Sequence, residues 1–442
     1  MNIYIDTLGC PKNSNDSELA AGILVAAGHT IVNEPLGSDV IMVNTCGFIN
    51  DAKQESIDKI FEMATLKKEE GLLIVSGCLA QRYGETLFKE IPEVDIFLGV
   101  NEYGRLPEIL KQHVTCEREK HLSGYDREFL ESAERYFSEN PYTATIKVAE
   151  GCNNVCAYCV IPSIRGSYRS RRLEDILAEA EKLAQKGCKE LILIAQDVTA
   201  YGIDLYGELK LAELVEQLCK IKKLQWIRLM YCYEDRITDD LIAVMAREEK
   251  VCKYLDIPIQ HASDKILKAM NRRSTNKSIC STINKLRKAM PDIHIRTTLI
   301  TGFPGETKDA FDELLDFVET MKFERLGVFA YSKEEGTAAA TMKGQIRSDI
   351  KEKRKEAIMR RQLDISLAAN QGKIGKIFEV FVEGMEVDGT YFGRTRFDAP
   401  EIDNSVLFTS HNQLEIGDII YVKITDAFDY DLVGEHQEEI KK

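Results

Sequence analysis

The chain has 442 residues, 44% hydrophobic and 29% charged, with a formal net charge of −14. That length exceeds one ordinary core and predicts two or three domains. No apolar run reaches the roughly 20 residues of a membrane span, and the start, Met-Asn-Ile-Tyr-Ile-Asp, is not a signal peptide, so a cytoplasmic protein is expected. The acidity argues against a broad grip on nucleic acid, which needs basic surface to release counterions. It suits a basic partner, or simply solubility.

Strand patterns at residues 2–7, 40–44, 72–76 and 96–99 alternate with helical patterns at 16–27, 51–66 and 84–90. Such alternation predicts a parallel sheet with helices on its faces. A stretch rich in Glu and Arg, about 115–141, reads as a connector with one short helix. The alternation then resumes with strands at 143–148, 190–195, 226–231, 254–259, 293–301 and 325–331, and helices at 173–185, 209–219, 239–247 and 308–321. Six strand–helix units predict a barrel or an open partial barrel, with the chemistry at the C-terminal ends of the strands.

A helix rich in Lys and Arg follows at 348–371 and reads either as a solvated connector or as a docking surface. From residue 374 the pattern changes to short β-like runs at 377–382, 390–395, 405–409, 419–426 and 431–435. These predict a small antiparallel barrel of about five strands. Residues 374–442 carry 15 acidic and 6 basic side chains, so this barrel is anionic. The fold class is therefore α/β with an appended β-barrel, in domains 1–115, 138–370 and 372–438.

Twelve cysteines without secretory features point to metal or redox chemistry rather than a disulfide framework. Cys152, Cys156 and Cys159 form a Cys-x-x-x-Cys-x-x-Cys run just after the first barrel strand. Soft thiolates this close suit an iron–sulfur cluster, whereas zinc would need a fourth ligand, and none lies nearby with suitable spacing. Three ligands on a four-iron cluster leave one iron open. The competing reading is three buried structural cysteines.

Cys10, Cys46 and Cys78 each follow a predicted strand and each has a glycine neighbour (Gly9, Gly47 and Gly77). Their spacing is about one βαβ repeat. Parallel strands place their C-terminal ends on one sheet edge, where ligands of α/β sheets bind, so the three thiols are expected to meet. Three separate buried cysteines is the alternative. Cys116, Cys188, Cys219, Cys232, Cys252 and Cys280 lack metal spacing and read as small buried hydrophobes.

With both sets in hand, the chain resembles the methylthiotransferase family of radical S-adenosylmethionine (SAM) enzymes along nearly its whole length. The matching stretches are Leu-Gly-Cys-Pro-Lys-Asn-Ser-Asn-Asp-Ser-Glu at 8–18, Asn-Thr-Cys-Gly-Phe-Ile at 44–49, Gly-Cys-Leu-Ala-Gln-Arg-Tyr at 77–83, and the 152–159 run with Ile-Pro-Ser-Ile-Arg-Gly after it. Asp-Ile-Pro-Ile-Gln-His at 256–261 and Thr-Gly-Phe-Pro-Gly-Glu-Thr at 301–307 also match. The resemblance implies an N-terminal cluster domain, a central partial barrel and a C-terminal TRAM barrel.

Within the family the chain looks like the type that modifies a ribosomal protein. Gly-Cys-Pro-Lys-Asn stands where the tRNA-modifying type usually has Gly-Cys-Gln-Met-Asn. An anionic barrel also suits a basic protein better than RNA.

The resemblance implies two 4Fe–4S clusters, held by Cys152, Cys156 and Cys159 and by Cys10, Cys46 and Cys78, together with SAM and a one-electron donor such as flavodoxin or ferredoxin. SAM cleavage would give a 5′-deoxyadenosyl radical, and the cofactors would carry the hard step. The implied acceptor is the β-carbon of an aspartate in small-subunit ribosomal protein S-twelve, giving 3-methylthioaspartate. Tyr158, Gln196, Gly302 and Phe303 are candidate SAM contacts, with core packing as the competing role. Arg165, Arg169, Arg171 and Arg172 form a basic loop that either grips an acidic group or is solvated. The competing functions are a tRNA methylthiotransferase of the same fold and a non-catalytic iron–sulfur protein that binds the ribosome.

Overall fold

A computed structural model describes residues 1–113, 117–122, 124, 133–137 and 141–438. The short helix expected in the connector, and Cys116, fall at least partly outside them. The N-terminal sheet has six parallel strands in the order Thr30–Val32, Asn2–Thr7, Val40–Thr45, Leu72–Ser76, Ile96–Leu98, Glu119–His121. Its central strand shows why both faces carry helices. Val40 and Met42 pack under Ala20, Leu24 and Ile109, while Ile41 and Val43 pack under Ile60, Met63 and Leu79. A strand covered on both faces is apolar throughout rather than alternating. Two short edge strands, Thr30–Val32 and Glu119–His121, escaped the sequence pattern. The second extends the sheet beyond residue 115.

Two helices begin earlier than their apolar periodicity suggests. Pro11–Ala26 starts at a favoured first-turn proline, and its first buried side chains are Lys12, Asn13, Asn15 and Asp16. Gly77–Glu90 starts seven residues before the pattern at 84–90 and carries Cys78 in its buried first turn. The first turn of Pro11–Ala26 is buried and polar, so hydrophobic period does not reveal it.

The central sheet is a partial barrel of six parallel strands in the order Arg325–Ala330, His294–Thr301, Val251–Asp256, Trp226–Leu229, Glu190–Ile194, Thr143–Lys147. The third expected strand ends at Leu229 because Tyr231 turns to φ 60°, outside the β region. The fourth lies about three residues earlier than expected. Helix Ser348–Gln371 is neither a free connector nor a bare docking face. It buries Ile358 and Gln362, Gln362 Nε2 donates to Phe323 O at 2.9 Å, and Arg354 pairs with Glu306 at 2.9 Å.

The C-terminal barrel closes in the order Ile377–Met385, Tyr391–Thr395, Val406–Thr409, Leu432–His436, Ile419–Ala427. Four pairings are antiparallel. The fifth, Val406–Thr409 with Leu432–His436, is parallel because the chain crosses between them through Ile419–Ala427.

This barrel plugs the central one from the side where the strands begin. Phe381 and Ala399 pack with Ile192, Trp226, Met230 and Tyr254, and His294 stacks on Phe397 with centroids 4.2 Å apart. Glu190, fully buried, pairs with Arg228 at 2.9 Å and with Arg394 from the plug. Burial pushes the Glu190 pKa up, but the two arginines hold it below the usual carboxylate range. Among the described residues no helix is long and apolar enough to cross a membrane.

Candidate active site

Strands Thr143–Lys147 and Ala149–Glu150 deliver the chain to Cys152 at the C-terminal mouth of the partial barrel. The loop that follows is held from both sides. Cys152 N–H donates to Gly166 O at 3.1 Å, Ala157 N–H to Met270 O at 2.9 Å, and Ala339 N–H to Ala157 O at 2.8 Å. Backbone N–H groups also point at sulfur, from Asn154 to Cys152 Sγ and from Ile161 to Cys159 Sγ, both at 3.4 Å. Burial pushes the Cys152 thiol up to about 11 and the Cys159 thiol to about 12, against these N–H groups. Such thiols stay protonated near neutrality until a metal displaces the proton.

Cys10, Cys46 and Cys78 come together at the C-terminal edge of the N-terminal sheet. Gly9, at φ +97°, makes the approach possible, since a Cβ there would stand 2.9 Å from Cys46 Cβ and 3.2 Å from its sulfur. Gly77, at φ +91°, lies so close to Thr45 that a Cβ would meet its carbonyl oxygen at 2.5 Å. Burial pushes the Cys46 thiol up to about 11, and the charges of Cys78 and Cys10 add to that.

Asn13, which the sequence singled out only as part of a motif, ties these loops together. Its Nδ2 donates to Leu8 O at 2.8 Å and to Thr45 O at 3.2 Å, while its backbone carbonyl accepts from Asn44 Nδ2 at 2.9 Å. Among the described residues no three His, Cys, Asp or Glu side chains converge on a point that would hold a single metal ion. A multi-iron cluster takes each thiolate on a different iron and needs wider-set sulfurs, so an all-thiolate triplet fits a cluster better than an ion.

The two cysteine sets face each other across one buried charged cluster. Arg165 ends the short helix Ile161–Arg165 just after Cys159 and is 2% exposed. Its Nη1 meets Asp16 at 2.9 Å and Glu150 at 3.2 Å. Its Nη2 donates to Asn13 Oδ1 at 2.8 Å and to Cys78 Sγ at 3.4 Å. Lys147 pairs with both Asp16 and Glu150. Burial pushes the Glu150 pKa up, but Arg165 and Lys147 hold it well below the usual range. Arg165 is thus consumed in joining the domains, and the buried Arg171 is paired with Glu179 at 2.6 Å, so neither is an open grip for an acid. Only Arg172 of that loop is exposed.

Lys12 is the functional candidate that sequence reasoning missed. It is 7% exposed, and its ammonium sits 3.1 Å from the centroid of the Tyr231 ring. Among the described residues it forms neither a hydrogen bond nor an ion pair. Burial, with Arg165 nearby, lowers its pKa against the pull of Cys10, Glu150 and Asp256. Tyr231 is held beneath it at φ 60°, its N–H donating to Asp256 at 3.1 Å. A strained backbone that surrounding bonds hold in place is common at functional sites. A basic residue two positions after the first cysteine was the available signal.

Of the expected SAM contacts, Tyr158 and Phe303 share one apolar cluster with Ala157 and Met270 beneath the cysteine loop. Gln196 Nε2 donates to Glu150 at 2.8 Å, while its Oε1 is buried without a hydrogen-bond partner. Such an orphaned amide oxygen beside the loop is suited to accept from an ammonium group such as that of SAM. Gly302 lies against Lys351, and its N–H donates to Glu306.

This mouth of a partial barrel, with a three-cysteine loop on its first strand, belongs to the radical SAM class. The Radical SAM superfamily model matches residues 146–318, a TRAM domain model 374–436, and Uncharacterized protein family UPF0004 residues 2–99. The chain is 48% identical over 437 residues to the ribosomal protein uS12 methylthiotransferase RimO of Clostridioides difficile, covering 98% of each. It is 50% identical to the enzyme of the same name from Desulforamulus reducens, covering 98% of this chain and 99% of that one. The chain belongs to the RimO family of ribosomal protein uS12 methylthiotransferases.

Solved structures share the fold at low identity. The radical SAM methyltransferase TsrM from Kitasatospora setae aligns with a TM-score of 0.52 at 13% identity over 74% of each chain. OxsB, a cobalamin-dependent SAM radical enzyme, aligns at 0.51 and 14% over 81% of this chain and 56% of that one.

Proposed function

We propose that this transferase inserts a methylthio group at the β-carbon of an aspartate in ribosomal protein uS12. The observation that carries the reading is Arg165, which ends the short helix Ile161–Arg165 just after the Cys152–Cys159 loop and touches Cys78 of the other cysteine set and Asn13 beside it. In this reading Cys152, Cys156 and Cys159 hold one 4Fe–4S cluster, and Cys10, Cys46 and Cys78 hold the second. Tyr158, Gln196, Gly302 and Phe303 border SAM. When bound, the clusters and SAM supply one-electron cleavage, hydrogen abstraction from an unactivated carbon and delivery of a methylated sulfur.

The chain's own residues do the rest. Arg165, Lys147, Asp16 and Glu150 fix the two halves of the site in register. Lys12 is a cation at the junction without an ion-pair partner among the described residues, and its ammonium holds the carboxylate of the target aspartate. The Tyr231 face keeps that ammonium aimed while leaving its protons available.

In this division the N-terminal domain, which runs on to the strand Glu119–His121, carries the auxiliary site, 138–370 the SAM site, and 372–438 docks the basic substrate protein. Exposed Glu386, Asp388, Glu415, Asp426 and Glu435 support that docking. RNA stacking by Tyr391 or Phe397 has less support, since Tyr391 is buried in the barrel and Phe397 is covered by His294.

The test is tandem mass spectrometry of uS12 from cells with and without this gene. One methylthio-aspartate present only with the gene supports the reading. An unmodified uS12 in both strains overturns it and directs attention to tRNA nucleosides.

A further inference from the structure

A chain of net charge −14 keeps one run of the opposite sign beside its radical SAM cysteines. Residues 264–277 contain Lys265, Lys268, Arg272, Arg273 and Lys277 against a single acid, Asp264. Arg272 is buried and pairs with Glu234 at 3.1 Å. The other four cations are exposed, and among the described residues none of them has an ion-pair partner.

The run is fastened to the cysteine loop. Met270 O accepts from Ala157 N–H at 2.9 Å, and Asn271 Nδ2 donates to Val155 O at 2.8 Å. Val155 lies between Cys152 and Cys156 and is 69% exposed, whereas those two cysteines are 7% exposed each. At this loop tip an exposed apolar residue adjoins a buried thiol in the chain. A lone surface valine needs no explanation. An apolar tip on a redox-ligand loop, fastened to a run of unpaired cations in an acidic protein, does.

We propose that a small acidic one-electron carrier protein docks here, against exposed Val155 and the cations Lys265, Lys268, Arg273 and Lys277 of the run bonded to its loop. The proposal rests on the reading that Cys152, Cys156 and Cys159 hold a cluster. The step is a single electron leaving the reduced carrier and entering that cluster, and no atom moves. The same cations repel the basic substrate protein, so reductant and substrate use separate faces. Unpaired surface charges steer association and lose that effect in salt. A phosphate backbone would also be drawn to the cations, but it has no use for the apolar tip.

The experiment uses the reconstituted full chain, an acidic flavodoxin as probe, and the variants K268E/R273E and, as control, K222E/K223E on the opposite end of the barrel. Flavodoxin affinity is measured by titration at low and high salt. Reduction of the cluster is followed by its visible absorbance. The expected result is at least a tenfold loss of affinity and of flavodoxin-driven reduction rate in K268E/R273E, with neither change in the control. SAM cleavage driven by dithionite stays at the unaltered level in both. Unchanged flavodoxin binding and reduction in K268E/R273E overturn the proposal, as does loss of binding to a ribosomal RNA fragment with flavodoxin binding intact. Failure of dithionite-driven cleavage in the unaltered chain would instead sink the functional reading beneath it.

Discussion

Replacing Arg165 by Met removes the joint between the two cysteine sets while keeping much of the side-chain volume. The change deletes ion pairs to Asp16 and Glu150 at 2.9 and 3.2 Å and hydrogen bonds to Asn13 and Cys78 at 2.8 and 3.4 Å. Breaking a buried ion cluster from one side costs about 3–5 kcal/mol, because the partner charges stay buried. Lys147 still balances Asp16 and Glu150, which puts the loss near the lower end. About 3 kcal/mol is a factor of roughly 150 in the equilibrium that docks the N-terminal domain on the barrel.

The expected phenotype is uncoupling. SAM is still cleaved to 5′-deoxyadenosine, but methylthiolated peptide falls by roughly that factor and the N-terminal domain melts in a separate first transition. Arg165→Lys, with charge but no fork, should fall between the two. The assays are product mass spectrometry beside 5′-deoxyadenosine chromatography, and urea melts. Full product yield and an unchanged melt in Arg165→Met would refute the reasoning.

Other outcomes follow from the same geometry. Replacing Cys10, Cys46 and Cys78 together by Ala should lower bound iron and sulfide to about half while 5′-deoxyadenosine formation persists, which elemental analysis and chromatography check; unchanged iron would mean these thiols hold no cluster. Lys12→Met should cut methylthio transfer by roughly 10–100-fold, the worth of one charge-assisted hydrogen bond, with SAM cleavage retained; normal kinetics on a uS12 peptide would remove Lys12 from the site.

Glu190→Gln leaves Arg228 buried without a counter-charge and Arg394 with Glu383 alone, and should cost about 3 kcal/mol, read as a lower melting temperature. Burial, with Lys373 and Arg325 nearby, pushes His294 down to about 3, so the fold favours its neutral form. The stability from its neutral stack on Phe397 is fully present above about pH 6.5 and is lost as pH falls towards 3. His294→Phe should therefore flatten the acid limb of a thermal-melt profile; an identical limb would show that another group sets it.

How much of this was legible in sequence depended on where polar residues were spent. Val40–Thr45 and Glu190–Ile194 read correctly because both faces are apolar. The first turn of Pro11–Ala26 did not, since Lys12, Asn13, Asn15 and Asp16 point inward and serve bonds formed only after folding. Gly9 and Gly77 were readable as turn or close-approach residues, but what they approach was not. Arg165 read either as a grip for an acid or as solvated, and its role in joining the domains stayed hidden because two of its partners, Asn13 and Asp16, lie more than a hundred residues away. The Lys and Arg content of Ser348–Gln371 suggested solvent, yet the helix buries Ile358 and Gln362 among those charges.

The plug formed by the C-terminal barrel has one more consequence. With Phe381 and Ala399 seated against Trp226 and Met230, the partial barrel becomes a blind chamber with its floor built from a different module. The apolar side chains beneath the mouth are thereby covered from the side where the strands begin. A chain truncated before residue 374 would leave Ile192, Trp226 and Tyr254 open to water.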